Sequence, residues 1–193
     1  MARAVWKGSV QTAPVPPVLV TCGDMEKPNV FTVAWTGTLC TQPPKTYISV
    51  RPERYSYNII KESGEFVINL TTENIVRAVD YCGVKSGRNE NKLEKTGLTP
   101  LPASVVSAPI LEQSPLALEC KVCDIVPLGS HDMFIADIVA VSADESYIDG
   151  SGRLALEKAG LVAYAHGQYF ALGKSLGTFG FSVRKRKKSA YKK

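Results

Sequence analysis

The stretch Asn29-Val-Phe-Thr-Val-Ala-Trp35-Thr-Gly-Thr-Leu-Cys-Thr41-Gln-Pro-Pro44 changes character halfway along. Its first part, residues 30–34, is β-branched and aromatic and predicts a strand. Its second part is rich in hydroxyls, carries Gly37 for backbone freedom and closes on two prolines, a pattern that predicts a loop. The prolines reopen an extended chain, so a second strand is expected over 46–50. Arg51-Pro-Glu-Arg54-Tyr-Ser56 then leads into a helix over 56–63 that stops at Gly64.

Outward from this stretch the same short apolar runs recur, punctuated by Gly, Pro and Asn. Strands are expected over 18–22, 65–70, 116–126, 133–142, 161–164 and 169–172, and a second helix over 73–81, stopping at Gly83. In the 116–126 run, Leu116, Leu118, Cys120 and Val122 share one face, while Glu119 and Lys121 fall on the other, as a half-buried barrel strand requires. Strands outnumber helices, and the helices are inserted rather than alternating. This predicts a mainly β fold, a closed or partly open antiparallel barrel with helical excursions, and argues against a parallel doubly wound sheet.

A chain of 193 residues is long enough for one compact domain with a real core, and 45% hydrophobic with 21% charged residues is ordinary for a soluble protein. No internal repeat or long linker divides it, so one domain is expected over 1–183, with a basic tail over 184–193. The formal net charge of +5 belongs to that tail. Seven of the 23 Lys and Arg residues lie there, leaving 16 against 18 acidic ones in the body. No base-reading pattern is interleaved with the basic run, so no specific nucleic-acid role is read from it. The early apolar run over 15–22 is broken by Pro16 and Pro17 and is too short for a membrane span. No signal-peptide pattern precedes it, and with five cysteines, an odd number, a cytoplasmic location is expected.

Several familiar motifs fail on inspection. Cys120-Lys-Val-Cys123 lies on a strand, where residues three apart face opposite ways, so the sulfurs do not converge without a bulge. Neither a Gly-x-Gly-x-x-Gly turn nor a P-loop occurs, and Ser86-Gly87-Arg88 is a weak phosphate loop on its own. With two histidines, His131 and His166, a multi-histidine metal site is excluded. What remains is Arg51, Arg54 and Ser56 at a helix start. A hydroxyl cap, free N–H groups and guanidinium forks aim at one anion there, which suits a phosphate. The same residues fit a plain helix cap flanked by solvated arginines equally well.

The order of motifs resembles the flavin reductase-like family, which includes flavoredoxins and the reductase components of two-component monooxygenases. The residues that carry the resemblance are Asn29-Val-Phe-Thr-Val-Ala-Trp35, Thr41-Gln-Pro-Pro44, Ser49-Val-Arg51, Arg54-Tyr-Ser56-Tyr-Asn58-Ile59, Phe66-Val-Ile-Asn69 and Ser86-Gly-Arg-Asn-Glu-Asn-Lys92-Leu. Leu118-Glu-Cys120, Gly129-Ser-His131 and Phe134-Ile-Ala-Asp-Ile138 continue it, in order, to about Val183.

The resemblance implies an FMN-binding split barrel, Greek-key-like and homodimeric, with flavin near the subunit interface. It implies that Asn29, Thr32, Val33, Ala34, Trp35 and Thr36, with backbone through Thr41, line the isoalloxazine and ribityl chain. It places Arg51, Arg54, Ser56 and Lys92 toward the phosphate, and His131 and Tyr164 at ring or ribityl contacts. An indole stacks on a flat heterocycle and Lys or Arg neutralises a phosphate, so the residue types suit these roles. Ser56 stands where threonine is common, Asn89 where aspartate is, and Tyr164 where phenylalanine is. The implied activity is an NAD(P)H-dependent flavin oxidoreductase, with FMN bound tightly but non-covalently and no catalytic side chain nominated. The alternative is a flavoredoxin-type electron carrier reduced by another redox protein.

Overall fold

A computed structural model describes residues 1–184; from Lys185 on, the expected basic tail lies outside the described residues. The strands are β1 (Val18–Cys22), β2 (Asn29–Val33), β3 (Thr36–Thr41), β4 (Pro44–Val50), β5 (Glu65–Asn69), β6 (Pro100–Leu101), β7 (Ile110–Leu111), β8 (Leu116–Pro127), β9 (Asp132–Ala143), β10 (Val162–Ala165) and β11 (Gln168–Ala171). The α-helices are α1 (Tyr55–Ser63), α2 (Val76–Val84) and α3 (Lys92–Thr96). Seven strands form one antiparallel sheet in the order β2-β1-β5-β8-β9-β4-β3.

The sheet curls because its two sides share one interior. Phe31 and Val33 of β2 pack in the same cluster as Ile48 and Val50 of β4, together with Val18, Val20, Phe66, Ile68, Cys120, Phe134 and Ala136. The backbone N–H of Ser49 donates to the Trp35 carbonyl at 2.9 Å, tying β4 to the β2–β3 corner where no full ladder runs. Tyr57 and Ile60 of α1 are buried in this interior too, so the helix closes what the sheet leaves open. Full burial of each such side chain stabilises by about 1.5–3 kcal/mol. β1 is buried on both faces: Leu19 meets a second cluster with Val30, Ala78, Val79, Cys82 and Leu93, where α2 and α3 cover the outside of the sheet.

Four expectations are corrected. The hydroxyl-rich stretch after Trp35 is not a loop but edge strand β3, paired with β4 through a bulge between Thr38 and Cys40. An edge strand bonds on one side and needs no apolar alternation, so Thr-rich sequence serves. The second helix does not stop at Gly83. A 3-10 turn over Glu73–Ile75 precedes α2, which runs on through Gly83 to Val84, with Gly83 facing Thr32 of β2. Ser56 does not cap α1: Arg54 is the N-cap residue and Ser56 lies inside the first turn, buried. Finally, Glu119 is not on a solvated face. It is fully buried, and its carboxylate accepts from Ser104 N (2.9 Å), Ser104 Oγ (2.8 Å), Val105 N (2.7 Å) and Ser142 Oγ (3.2 Å), holding the 98–115 segment against the sheet.

The cysteine pair behaves as strand geometry requires. Cys120 is buried and Cys123 exposed at a bulge, and all five cysteines are free thiols. No group of three or more His, Cys, Asp or Glu among the described residues is placed to hold a metal. No described helix is long and apolar enough to cross a membrane.

Candidate functional site

The corner between β2 and β3 carries Ala34 and Trp35 out of the sheet, and two clefts meet there. One, of about 450 Å³, is lined by Thr32, Val33, Trp35, Arg51, Arg54 and His131, among others. The second, of about 330 Å³, is lined by Thr32, Ala34, Trp35, Gly83, Tyr164 and Tyr169, among others. Thr32 and Trp35 belong to both. Trp35 keeps 37% of its surface exposed, so it is a wall of these clefts and not a plug of the barrel interior. Thr32 is anchored from behind, its hydroxyl donating to the Val79 carbonyl of α2.

The cations gather at the end of α2. Arg54 Nη2 donates to the Gly83 carbonyl at 2.9 Å, and Lys92 Nζ donates to the Cys82 and Lys85 carbonyls at 3.3 and 3.2 Å. Both side chains thus satisfy the carbonyl-rich, negative end of the helix. Lys92 is buried, and no carboxylate among the described residues lies within ion-pair distance of it. Burial pulls its ammonium below the ordinary lysine value, and the nearby Arg54 charge adds to this. An anion placed here would relieve both effects.

Asn29 and Ser56 stand behind these cations. Asn29 Nδ2 donates to Ser56 Oγ at 2.8 Å and reaches Cys22 Sγ at 3.5 Å. Burial pushes the Cys22 thiol up to about 11, so it stays neutral. A Cβ on Gly87 would collide with Asn29 Oδ1, which is why the loop after α2 comes this close only with glycine. Asn29, Gly87, Tyr55 and Lys92 line a further small cleft of about 240 Å³.

Arg51 is more open. Its Nη1 lies 3.4 Å from Glu53 Oε1, and it shares its cleft with His131. Burial and the Arg51 charge both hold the His131 imidazole below its ordinary value, against the pull of Glu53, and its Nδ1 sits 2.9 Å from Ser130 Oγ.

Of the residues expected from sequence, the structure brings Thr32, Val33, Ala34, Trp35, Arg51, Arg54, His131 and Tyr164 onto the two joined clefts. Asn29 and Lys92 line the small cleft beside them. Ser56 is spent on Asn29. Thr36 Oγ1 donates to the Tyr47 carbonyl at 2.6 Å within the hairpin, and Thr41 sits exposed at the far end of β3, paired with Pro44 and away from these clefts. Sequence reasoning missed Gly83, Asp80 and Tyr169 as cleft walls, and read Gly87 only as part of a weak phosphate loop. A glycine inside a helical pattern was the available signal for Gly83; nothing local marks Asp80 or Tyr169.

A curled antiparallel sheet, an aromatic corner and a cationic helix end together suit a flat ring carrying a phosphate tail. The match to the flavin reductase like domain covers residues 10–173, and the chain belongs to that family. Its fold is the flavin reductase-like split barrel. It is similar to a flavoredoxin of Desulfovibrio vulgaris (Miyazaki F), with 33% identity and a TM-score of 0.87 over 95% of this chain and 100% of that one. An uncharacterised protein of Archaeoglobus fulgidus is 35% identical over 126 residues, 65% of this chain and 71% of that protein. An NADPH-flavin oxidoreductase of Streptomyces viridifaciens is 25% identical over 149 residues, 76% of this chain and 71% of that one.

Proposed function

We propose that this protein binds FMN non-covalently and acts as an NAD(P)H-dependent flavin oxidoreductase. The observation that carries this reading is the convergence of Trp35 with Arg51 and Arg54 on one cleft, beside the buried Lys92. The residues fit the cofactor. Trp35 offers exposed indole to a tricyclic ring, Thr32 and the strand end give polar edges, and Arg54 and the neighbouring Lys92 supply cations that are in no ion pair among the described residues, although Glu53 and Glu90 line their respective clefts. When bound, FMN supplies the redox chemistry, taking a hydride from NAD(P)H and yielding the electrons to free flavin, oxygen or a protein acceptor. The chain's own part is to bind, orient and shield, so no acid or base side chain is assigned.

The similarity to a flavoredoxin favours a second reading, in which the protein is an electron carrier reduced by another redox protein. Anaerobic stopped-flow mixing of the FMN-loaded protein separates the two. Bleaching of the flavin band by NADH or NADPH within seconds supports the oxidoreductase. Bleaching by a reduced ferredoxin, with no response to either nicotinamide, selects the carrier.

We also propose a cytoplasmic homodimer. Residues 1–14 and 172–179 are exposed throughout, and Trp6, Leu176 and Phe179 keep most of their surface uncovered by the described residues. A twofold partner would cover such arms. A monomeric mass by light scattering of the flavin-loaded protein would contradict it.

A further inference from the structure

A larger groove, of about 940 Å³, opens between α2, α3 and the turn joining β10 to β11. Asp80, Gly167 and Tyr169 line both this groove and the Trp35 cleft of about 330 Å³. The two are one continuous depression. It starts at Thr32 and Trp35, passes the turn, and ends beyond it at Arg77, Lys95 and Thr96.

The walls of the junction are held in place. His166 with φ 47 and Gly167 with φ 82 make the tight left-handed turn that sets the hairpin against α2. The Tyr164 and Tyr169 rings meet edge-on at 5.3 Å, and the Tyr169 hydroxyl donates to Asp80 Oδ1 at 3.3 Å. Burial, with the Asp80 charge, pushes the Tyr169 phenol up to about 12, so it remains a donor at neutral pH.

Charge divides the groove. Asp80 is the carboxylate of its wall, and it is turned to Tyr169 at the junction. Arg77 and Lys95, past the junction, are exposed, and neither lies within ion-pair distance of a carboxylate among the described residues. The far end is therefore cationic and uncompensated, while the near end is aromatic.

We infer that this groove seats the adenosine half of the dinucleotide donor, with Arg77 and Lys95 on its 2′-phosphate, and that the protein prefers NADPH to NADH. The inference rests on the reading of the Trp35 cleft as the flavin seat. A nicotinamide that reaches a ring at Trp35 leaves its adenosine outside that cleft, and on the side away from Arg51 and Arg54 the depression leads to space of the size small-molecule sites have. Adenosine alone asks for aromatic and apolar wall. Two free cations at the far end match a ligand whose last group is a dianion, and guanidinium with ammonium is the pairing phosphates take.

The test is steady-state reduction of the FMN-loaded protein by each nucleotide, in the natural protein and in Arg77→Gln/Lys95→Gln. Expected are at least a tenfold higher kcat/KM for NADPH than for NADH, a fall of that ratio by tenfold or more in the double variant through the NADPH KM, and competitive inhibition by 2′,5′-ADP that the variant loses. Arg77→Lys, which keeps a cation, retains most of the preference. Equal use of both nucleotides, or an NADPH KM unmoved in the double variant, overturns the groove assignment while leaving the oxidoreductase intact. Failure of both nucleotides to reduce the bound flavin overturns the oxidoreductase reading and the groove with it.

Discussion

Asn29 and Ser56, 27 residues apart in the chain, are joined by one buried hydrogen bond of 2.8 Å from the amide Nδ2 to the hydroxyl Oγ. It pins the start of β2 to the first turn of α1. Gly87 packs on the other end of the same amide. Three segments distant in sequence therefore meet at the Asn29 side chain, two through a hydrogen bond and the third through close packing.

Ser56→Ala removes the acceptor and leaves the buried Asn29 amide with a weak sulfur partner. A loss of about 1–3 kcal/mol is expected, the usual cost of a stranded buried donor. Urea unfolding of the flavin-free protein measures it. Ser56→Thr keeps the hydroxyl and holds most of the stability; an Ala variant as stable as the natural protein would show that the contact does not pin the two elements.

Lys92→Met separates binding from folding. Taking away a buried ammonium removes its desolvation cost, while the Cys82 and Lys85 carbonyls lose their donor. These offset, and flavin-free stability should stay within about 1 kcal/mol. FMN affinity should fall tenfold or more, since a charge-assisted bond to phosphate contributes about 1.5–3 kcal/mol. Quenching of FMN fluorescence on titration reads the affinity; riboflavin, which lacks the phosphate, should bind both proteins equally.

Trp35→Ala strips the ring contact and leaves the cations. Aromatic stacking is worth about 0.5–1.5 kcal/mol beyond buried area, a factor of about two to ten to which the lost apolar contact adds, so FMN and riboflavin should both weaken by at least several-fold. The signature is opposite to that of Lys92→Met, where the two ligands part. Unchanged riboflavin binding would remove the indole from the site.

Glu119 sets an acid limit on stability. Burial raises its carboxyl, but hydrogen bonds from Ser104, Val105 and Ser142 outweigh this and hold it below the ordinary value of 4.5. A folded-state value below the unfolded one means stabilisation that is complete above about 4.5 and is lost as pH falls through the folded value. Glu119→Gln should therefore lower the thermal midpoint at pH 7 and narrow the gap to the natural protein as pH drops below 4. A gap that stays constant across that range would contradict the assignment.

Alternation and punctuation are local, and they were legible. The strand at 18–22 falls on β1 as written, the runs at 65–70 and 116–126 on β5 and β8 within a residue, and Gly64 ends α1 with φ 68. β3 was not legible, because an edge strand needs no buried face. Nor was α3, whose five residues rest on the Asn91 cap and the Gly97 stop and on packing of Leu93 under α2. The family motifs named Trp35, Arg54 and Lys92 by residue type, yet the partners of each came from elsewhere in the chain.

Periodicity, turn residues and motif order settle most of the core strands and that the fold is an antiparallel barrel, and they name side chains whose chemistry suits a phosphorylated ring. They do so because backbone preference and one-sided burial act over a few residues. Folding in three dimensions turned Glu119 inward, took Ser56 out of the cap and into the bond with Asn29, ran α2 past Gly83, and opened the groove from Trp35 to Arg77. Each of these depends on which atoms of distant segments meet and exclude water, and no local pattern carries that.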